Sequence, residues 1–249
     1  MNRIKFMNIY IDNVSMQEAL DKIAHLTETT RQSYVVTPNV DHLVKLQSDD
    51  EFLKIYDNAS LILADGTPLI WISKLYKKPI KEKVSGSDLF PKVCEMAAKK
   101  GYKMFFLGAA EGVAELAAKN LELKYSGLNV VGTYSPKIGF EEDAQEICKI
   151  IKIIENCLPD ILIVALGAPK QEKFFYRHRK QLNVPIAIMV GASIDFEAGL
   201  VKRAPAWMSR VGLEWFYRLC KEPIRMYRRY LIDDLSIFKL IWKYRKSDT

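Results

Sequence analysis

The chain has 249 residues, 49% of them hydrophobic and 27% charged, which excludes a disordered protein and allows one large domain with or without an appendage. Its net charge of +7 lies entirely in residues 201–249, which hold 12 basic and 5 acidic side chains, whereas residues 1–200 hold 25 of each. The same tail holds three of the four tryptophans. We therefore expect a neutral body, residues 1–200, and a basic, aromatic appendage, residues 201–249.

Short apolar runs alternate with helical patterns along the body. The expected strands, in chain order, are FMNIYI (6–11), SYVVT (33–37), LILA (61–64), KMFFLG (103–108), NVVGTY (129–134), ILIVALG (161–167) and IAIMVG (186–191). The expected helices span 16–28, 88–100, 110–124 and 141–156, with a capping box at Ser15 and Glu18 and a cap at Ser87. Several runs are continuously apolar, which indicates strands buried on both faces of a mainly parallel sheet. The pattern predicts a Rossmann-like, doubly wound α/β fold with helices on both faces, plus a C-terminal helical appendage.

Neither the cysteines nor the apolar runs indicate an exported or membrane-spanning protein. Cys94, Cys148, Cys157 and Cys220 have no CxxC spacing, so we expect reduced thiols in a cytosolic protein and no metal site. The N-terminus lacks the layout of a signal peptide. The longest charge-free run, 181–194, is shorter than the ~18 to 20 residues of a spanning helix, so we expect any membrane contact to be made from the surface.

In a doubly wound fold, ligands bind at the carboxyl ends of the strands. Five expected strands end on small or polar residues, at 37–39, 65–67, 108–110, 167–172 and 191–195. One such glycine is explained by an ordinary turn, but five strand ends of this kind predict a ligand cleft. Glycines between a strand and a helix also let backbone N–H groups approach a phosphate. We therefore expect a nucleotide in this cleft.

Several familiar chemistries lack their motifs. The sequence has no GxGxxG, GxxxxGK[ST] or GxSxG, which argues against a dehydrogenase, a P-loop NTPase and an α/β hydrolase. His25, His42 and His178 are too far apart to suggest a metal triad, and we expect them at the surface or its boundary. No Asp-x-Asp occurs, so we expect no metal and no cofactor, with backbone donors and Arg or Lys meeting the charge of a leaving diphosphate.

Glycosyl transfer from a sugar nucleotide fits these parts, because the diphosphate departs readily and only the attacking hydroxyl needs a base. Asp65 directly follows an apolar run and is the candidate base, while Thr37 and Asn39 are candidates to orient a sugar. A glycoside hydrolase would instead need two facing carboxylates. The alternative for Asp65 is the N-cap of the helix that follows it.

In the appendage, aromatic and basic residues interleave. Arg218, Lys221, Arg225, Arg228 and Arg229 fall within one arc of a helix and apolar residues within another, although Pro223 is expected to break the segment in two. This pattern is typical of helices in a membrane interface, attracted to anionic lipid and lipid-linked phosphates. The alternative is an ordinary helical pair packed on the sheet. A nucleic-acid partner is not expected, because the segment is rich in aliphatic residues and the body is neutral.

Six ordered motifs resemble the WecG/TagA/CpsF glycosyltransferases, and their TagA branch most closely. They are TPNVDHL (37–43), ADGTPLIW (64–71), VSGSDL (84–89), LGAPKQE (166–172), VGASIDFEAG (190–199) and RAPAWM…GLEWFYRL (203–219). The resemblance covers nearly the whole chain. It implies inverting, metal-independent transfer of N-acetylmannosamine from UDP-N-acetylmannosamine to the 4-hydroxyl of undecaprenyl-diphospho-N-acetylglucosamine. The β-1,4 product belongs to the linkage unit of wall teichoic acid.

The resemblance also assigns roles to residues. Asp65 would be the general base, with Thr37 and Asn39 in the sugar pocket and Gln171 in the same cleft. The residues implied at the nucleotide are Gly108, Ala109, Gly167, Gly191 and Asp195. The residues implied at the diphosphates of donor or acceptor are Arg218, Arg225 and Arg228 of the appendage. Lys83 stands where the family pattern has Arg, so it keeps the charge but lacks the bidentate fork.

Together these observations predict a cytoplasmic enzyme bound peripherally to the inner face of the cell membrane, with a possible homo-oligomer when it is off the membrane. Two alternatives stay open. One is a transferase of the same family that uses another donor, such as UDP-glucose or an N-acetylmannosaminuronate donor. The other is a non-catalytic nucleotide-sugar sensor that binds a membrane partner through its tail.

Overall fold

The computed structural model describes residues 3–210 and 212–247, leaving out the side chains of residues 206, 210, 225, 229, 231, 246 and 247. The strands are β1 (Arg3–Phe6), β2 (Ile9–Asp12), β3 (Ser33–Val36), β4 (Leu61–Ile62), β5 (Lys103–Gly108), β6 (Asn129–Tyr134), β7 (Ile161–Ala165) and β8 (Ile186–Met189). The helices of the body are α1 (Met16–Thr27), α2 (Val40–Lys45), α3 (Asp50–Asp57), α4 (Thr67–Leu75), α5 (Gly86–Lys100), α6 (Val113–Lys124), α7 (Ala144–Cys157), α8 (Lys170–Leu182) and α9 (Ser193–Glu197). Those of the C-terminal segment are α10 (Ala206–Arg210), α11 (Glu214–Lys221), α12 (Pro223–Arg228) and α13 (Ser236–Ser247), with a π-helical turn at Arg229–Asp233.

Six strands form one parallel sheet in the order β4-β3-β8-β7-β5-β6. Because all six run in the same direction, their carboxyl ends lie along one edge of the sheet. Helices cover both faces, so the Rossmann-like α/β fold predicted from the sequence is confirmed. The residues that follow each strand are brought together at this edge, where ligands of such folds bind.

The central strands are buried on both faces, as their continuous apolar runs predict. In β7, Leu162 and Val164 pack into the core on one side of the sheet, while Ile161 and Ile163 pack into the core on the other. All four side chains are fully buried. The alternation follows from the period of two along a strand, and it holds the strand ends in a rigid frame.

Several local predictions were wrong: α6 and α7 each begin three residues after their expected starts at 110 and 141, and two further differences have clear physical causes. The run FMNIYI, expected as one strand, contributes to two, because Met7 adopts a positive φ of 54° and the chain turns back into an antiparallel hairpin of β1 and β2. The cap of α5 is Ser85, whose side chain accepts a hydrogen bond from the backbone N–H of Asp88, so the helix begins two residues before the expected position. The capping box of α1 at Ser15 and Glu18 is confirmed.

The C-terminal segment, residues 201–247, packs on the body near α2 and α4. Ile237 is buried in the core on one side of the sheet. Tyr244 donates a hydrogen bond to Gln47 at 2.9 Å, and Tyr76 of the body donates one to the backbone carbonyl of Ile241 at 3.2 Å. Pro223 separates α11 from α12, as predicted. Among the described residues, no helix is both long enough and apolar enough to cross a membrane.

Candidate active site

Asp65 is held at the carboxyl end of β4 by backbone hydrogen bonds on either side. Its N–H donates to the carbonyl of Pro38 at 2.9 Å, and the carbonyl of the preceding Ala64 accepts from the N–H of Val84 at 2.9 Å. The N-cap of α4 is Gly66, with φ of 107°, and this helix has no side-chain cap. The alternative of a capping role for Asp65 is therefore wrong, and the carboxylate is available for another task.

The surroundings of Asp65 make it a stronger base than an ordinary aspartate. Its pKa is raised from 3.8 to about 6, first by burial and then by the negative charge of Glu214. Lys83, His42 and the N–H of Gly86, 3.5 Å from Oδ2, oppose the increase. A carboxylate with this pKa is mostly ionised at neutral pH, yet it accepts a proton more readily than an exposed one.

The predicted sugar-pocket residues, Thr37 and Asn39, lie after β3, next to Asp65. The hydroxyl of Thr37 is buried and donates to the carbonyl of Met189 at 3.1 Å. Asn39 is the N-cap of α2, where its Oδ1 accepts from the backbone N–H of His42 at 3.3 Å. These bonds fix both side chains before any ligand arrives, which is the condition for a precise sugar pocket.

His42 is buried rather than at the surface or its boundary, so its expected position was wrong. Its Nδ1 lies 2.7 Å from Oδ1 of Asn39 and accepts a hydrogen bond from the backbone N–H of the same residue at 3.4 Å. Its Nε2 faces the carboxylate of Glu172 at 3.6 Å, and Glu172 is fully buried. A buried polar chain thus leads from the end of β3 to α8.

Gln171 continues this chain. Its Nε2 donates to Glu172 at 2.8 Å, and its Oε1 accepts from the N–H of Gly191 at 3.2 Å. The side chain is buried, and both ends of its amide bind protein groups. Gln171 therefore connects the end of β7 to the end of β8. At the cleft where it was predicted, it has a structural role, because its amide is already bonded to protein groups.

The glycines predicted at the nucleotide differ in what they do. A Cβ at Gly108, whose φ is 120°, would lie 2.3 Å from the carbonyl oxygen of Ala165, so this position requires glycine for the approach of β5 to β7. The next residue, Ala109, has φ of 62° and donates its N–H to the same oxygen at 3.2 Å. Gly167 and Gly191 also have positive φ, but no atom lies within 4 Å of their Cβ positions, which leaves space at these two strand ends.

Asp195 lies in α9, just beyond Gly191, and is partly buried. It therefore stands at the carboxyl end of β8, on the edge of the sheet where the sequence predicts a nucleotide. Arg218 of α11 approaches the same helix, with its guanidinium carbon 5.9 Å from the ring centroid of Phe196. The body and the C-terminal segment meet at this end of the cleft.

Of the three arginines predicted at the diphosphates, only Arg218 is placed by the described residues beside the cleft. Its Nε is buried and has no hydrogen-bond partner among the described residues. Arg228 is largely exposed, with its Nε 4.0 Å from Asp233. The side chain of Arg225 lies outside the described part of the structure.

A cavity of about 600 Å³ lies between α4, the segment before α5 and residues 203–209. Asp88 lies in its wall between two cations: Lys83, 3.3 Å away, and Arg203, which donates a hydrogen bond to it. Burial favours the protonated form of Asp88, but bonds from Ser85 and Arg203 and the charge of Lys83 keep its pKa below the ordinary value. Lys83 therefore reaches the site, with its charge shared with Asp88.

Glu214 is a further residue at the site to which the sequence analysis assigned no role. The hydroxyl of Thr67, two residues after Asp65, donates to the carbonyl of Ser209 at 3.3 Å. The hydroxyl of Ser209 in turn donates to Glu214 at 3.3 Å. Glu172 and Glu214 both stand inside motifs quoted above, which is the one signal that could have identified them. No group of three or more potential metal ligands occurs among the described residues.

Comparison with known proteins identifies the family of the chain. The model of the glycosyl transferase WecG/TagA/CpsF family matches residues 4–249. Curated relatives named N-acetylglucosaminyldiphosphoundecaprenol N-acetyl-beta-D-mannosaminyltransferase include one from Bacillus spizizenii, 33% identical over 213 residues, covering 84% of this chain and 80% of the relative. Another, from Bacillus subtilis, is 30% identical over 231 residues, covering 92% and 88%. A third, from Staphylococcus aureus strain MRSA252, is 28% identical over 218 residues, covering 87% and 84%. The chain belongs to the WecG/TagA/CpsF family of glycosyltransferases.

Proposed function

We propose that this protein is a hexosyltransferase that moves N-acetylmannosamine onto N-acetylglucosaminyldiphosphoundecaprenol, the reaction named by its curated relatives. The product would be part of the linkage unit of wall teichoic acid. The observation that carries the proposal is Asp65, a carboxylate with a pKa of about 6 at the carboxyl edge of a parallel sheet. A base of this strength suits the removal of a proton from a sugar hydroxyl as it attacks.

The proposed reaction is a single displacement with UDP-N-acetylmannosamine as donor. The 4-hydroxyl of the acceptor sugar forms a bond to the anomeric carbon of the donor, while the bond from that carbon to the UDP oxygen breaks. Asp65 takes the hydroxyl proton, and UDP leaves with the electron pair. Attack opposite the leaving group inverts the anomeric centre and gives the β-1,4 linkage. Thr37 and Asn39 would orient the sugars. Gln171 would support the cleft by holding the ends of β7 and β8 together.

We propose that the reaction needs neither metal nor cofactor. The charge of the diphosphates would then be met by backbone N–H groups at the ends of β5, β7 and β8, and by cations of both parts of the chain. Arg218, whose buried Nε has no protein partner among the described residues, is well suited to this task, and so is Lys83, whose charge acts on Asp65. Arg225 and Arg228 stay as further candidates.

The two parts of the chain would divide the work. Residues 1–200 would hold the nucleotide sugar, and residues 201–249 would dock on the anionic inner face of the cell membrane, where the lipid-linked acceptor lies. The appendage exposes large apolar side chains beside its basic ones, which suits a lipid interface. These side chains are Trp207, Ile224, Tyr227, Phe238 and Trp242. Off the membrane, the same surface could pair with a second copy of the chain, and no nucleic-acid partner is proposed.

The test is release of UDP from UDP-N-acetylmannosamine by the full-length protein, with a lipid-linked N-acetylglucosamine diphosphate acceptor and with or without EDTA. We expect turnover that resists EDTA and falls about 10²-fold to 10⁴-fold in Asp65→Asn, because the variant keeps the shape but not the base. Donor binding by Asp65→Asn, measured by calorimetry, is the control and should persist.

Other outcomes would revise the proposal in different ways. Loss of turnover with EDTA would contradict the metal-free mechanism. Turnover only with UDP-glucose or an N-acetylmannosaminuronate donor would replace the substrate but keep the role of Asp65. Binding of a donor with no turnover of any donor would favour a nucleotide-sugar sensor.

A further inference from the structure

Helix α4 of the body has an exposed apolar face that its own fold does not explain. Leu69 and Ile72 point into the core, but Trp71 is 54% exposed and Leu75 is 47% exposed. Trp71 and Leu75 are four residues apart, with the exposed Lys74 between them, so all three lie on one side of the helix. A tryptophan, a leucine and a lysine thus share a solvent-facing surface that begins a few residues after Asp65.

The C-terminal segment contacts α4 at three places. At the start of the helix, Thr67 is bonded to Ser209. In its middle, Trp71 packs so closely on Gly212 that a Cβ on this glycine would lie 2.7 Å from the indole ring. Just after its end, Tyr76 is bonded to Ile241 of α13. Because Ser209, Gly212 and α13 meet the same short helix, its exposed face and the surface of the appendage are continuous.

We propose that α4 is part of the membrane-contacting surface, with Trp71 and Leu75 entering the headgroup region of an anionic bilayer and Lys74 and Lys77 meeting its phosphates. This inference rests on the proposed membrane docking of the appendage and extends it to the catalytic body. It places the start of α4, and with it Asp65, at the lipid surface. A lipid-linked acceptor would then reach the base without leaving the bilayer.

Charge favours an anionic lipid over a second copy of the chain as the occupant. Lys74 and Lys77 are exposed on this surface, whereas Lys81 and Lys83 of the same stretch are paired with Glu18 and Asp88. Two copies related by a two-fold axis would bring the same lysines together, which opposes pairing, whereas each lysine near an anionic bilayer favours binding by about 1 kcal/mol. Lysine stems and an indole ring also suit an interface that is apolar on one side and wet on the other.

The test is co-sedimentation of the full-length protein with phosphatidylcholine vesicles, with and without phosphatidylglycerol. The variant is Lys74→Glu/Leu75→Ser. Its matched control is Lys119→Glu/Leu123→Ser on α6, where Leu123 is 87% exposed and Lys119 is also exposed. We expect the α4 variant to bind the anionic vesicles about tenfold more weakly than the unmodified protein, since it reverses one charge and removes one apolar contact. The α6 variant should bind as the unmodified protein does.

A third variant, Phe238→Ser/Trp242→Ser in α13, separates the failure of this inference from that of membrane docking. If only this variant loses binding, the appendage docks on the membrane without α4, and the inference is wrong. If all three variants bind anionic vesicles like the unmodified protein, docking through the appendage is wrong and the inference fails with it. If the α4 variant changes only the oligomeric state, this face contacts a second copy. Thermal melting of each variant verifies that it is folded.

Discussion

The body buries its large apolar side chains, whereas the appendage exposes many of its own. In the body, the strands alternate their side chains between two buried cores, and residues such as Leu162 and Ile163 have no exposed surface. In the appendage, α11 has no buried residue, and Trp207, Ile224 and Trp242 are largely exposed. The body is therefore stabilised by its own packing, while many large apolar side chains of the appendage are exposed. Apolar content alone does not distinguish these two uses, since only the tertiary contacts show which side chains are covered.

At the cleft, the body and the appendage both contribute charged residues. Asp65 belongs to the body, but the second cause of its raised pKa is Glu214 of the appendage. Asp88 belongs to the body, yet it binds Arg203 of the C-terminal segment. A catalytic site assembled from both parts would depend on how the appendage packs on the body.

The largest effect on the body is expected from Gly108→Ala. The new Cβ would meet the backbone of Ala165 at 2.3 Å, and the φ of 120° is strained for alanine, so we expect a loss of about 3 kcal/mol or more of unfolding free energy. Gly167→Ala is the control: its φ is also positive, but its Cβ position is open, so the loss should be about 1 kcal/mol. Equal losses in chemical denaturation would contradict the tight approach of β5 to β7.

The second-largest effect is expected on turnover, from a change in the buried polar chain of His42, Glu172 and Gln171. Glu172→Ala removes the acceptor for Gln171 and the partner of His42, which should loosen the ends of β7 and β3 and lower kcat about tenfold to 100-fold. Glu172→Gln keeps an acceptor oxygen and should retain most of the turnover. Steady-state kinetics of both variants would decide this. Equal loss in both would show that the charge of Glu172, rather than its hydrogen bond, is what matters.

A smaller effect is expected on the pH dependence. Asp65 acts as a base only when ionised, so turnover should fall as the pH drops through about 6. Glu214→Gln removes the negative charge that raises this pKa, and the acidic limb of the kcat profile should move to lower pH. An unmoved limb would contradict the coupling between the appendage and the base.

The same pKa has a consequence for stability. Because the folded protein keeps a proton on Asp65 up to a pH of about 6, whereas the unfolded chain loses it near its ordinary pKa of 3.8, stability should fall as the pH rises between these values. Glu214→Gln should flatten this fall, which thermal melting across the range would detect.

The smallest effect is expected at the surface of α13. Phe238 is 67% exposed, and Phe238→Ala should change the unfolding free energy by no more than about 0.5 kcal/mol. Its neighbour Ile237 is 7% exposed in the core, and Ile237→Ala should cost about 2 kcal/mol or more. If both changes were costly, the exposed face of the appendage would be packed rather than available to lipid.

Much of the fold could be predicted because its signals are local. Continuous apolar runs predict strands buried on both faces, and Ser15 with Glu18 predicts where α1 begins. The hairpin of β1 and β2 was missed because its turn depends on a positive φ at Met7, a residue that does not favour one. The cap of α5 was misplaced because Ser85 and Ser87 are equally suitable by residue type.

For the site, the sequence by itself determined the residue types at each strand end and the concentration of charge in the tail, since both are properties of the chain in order. It therefore marked Asp65, Thr37 and Asn39 as candidates, and the resemblance to a family added Gln171. Only the tertiary structure decided that Asp65 is not a helix cap, that His42 and Glu172 are buried together, and that Glu214 influences the pKa of a residue about 150 positions away. A pKa and a hydrogen bond depend on distance and burial, which the fold alone brings about.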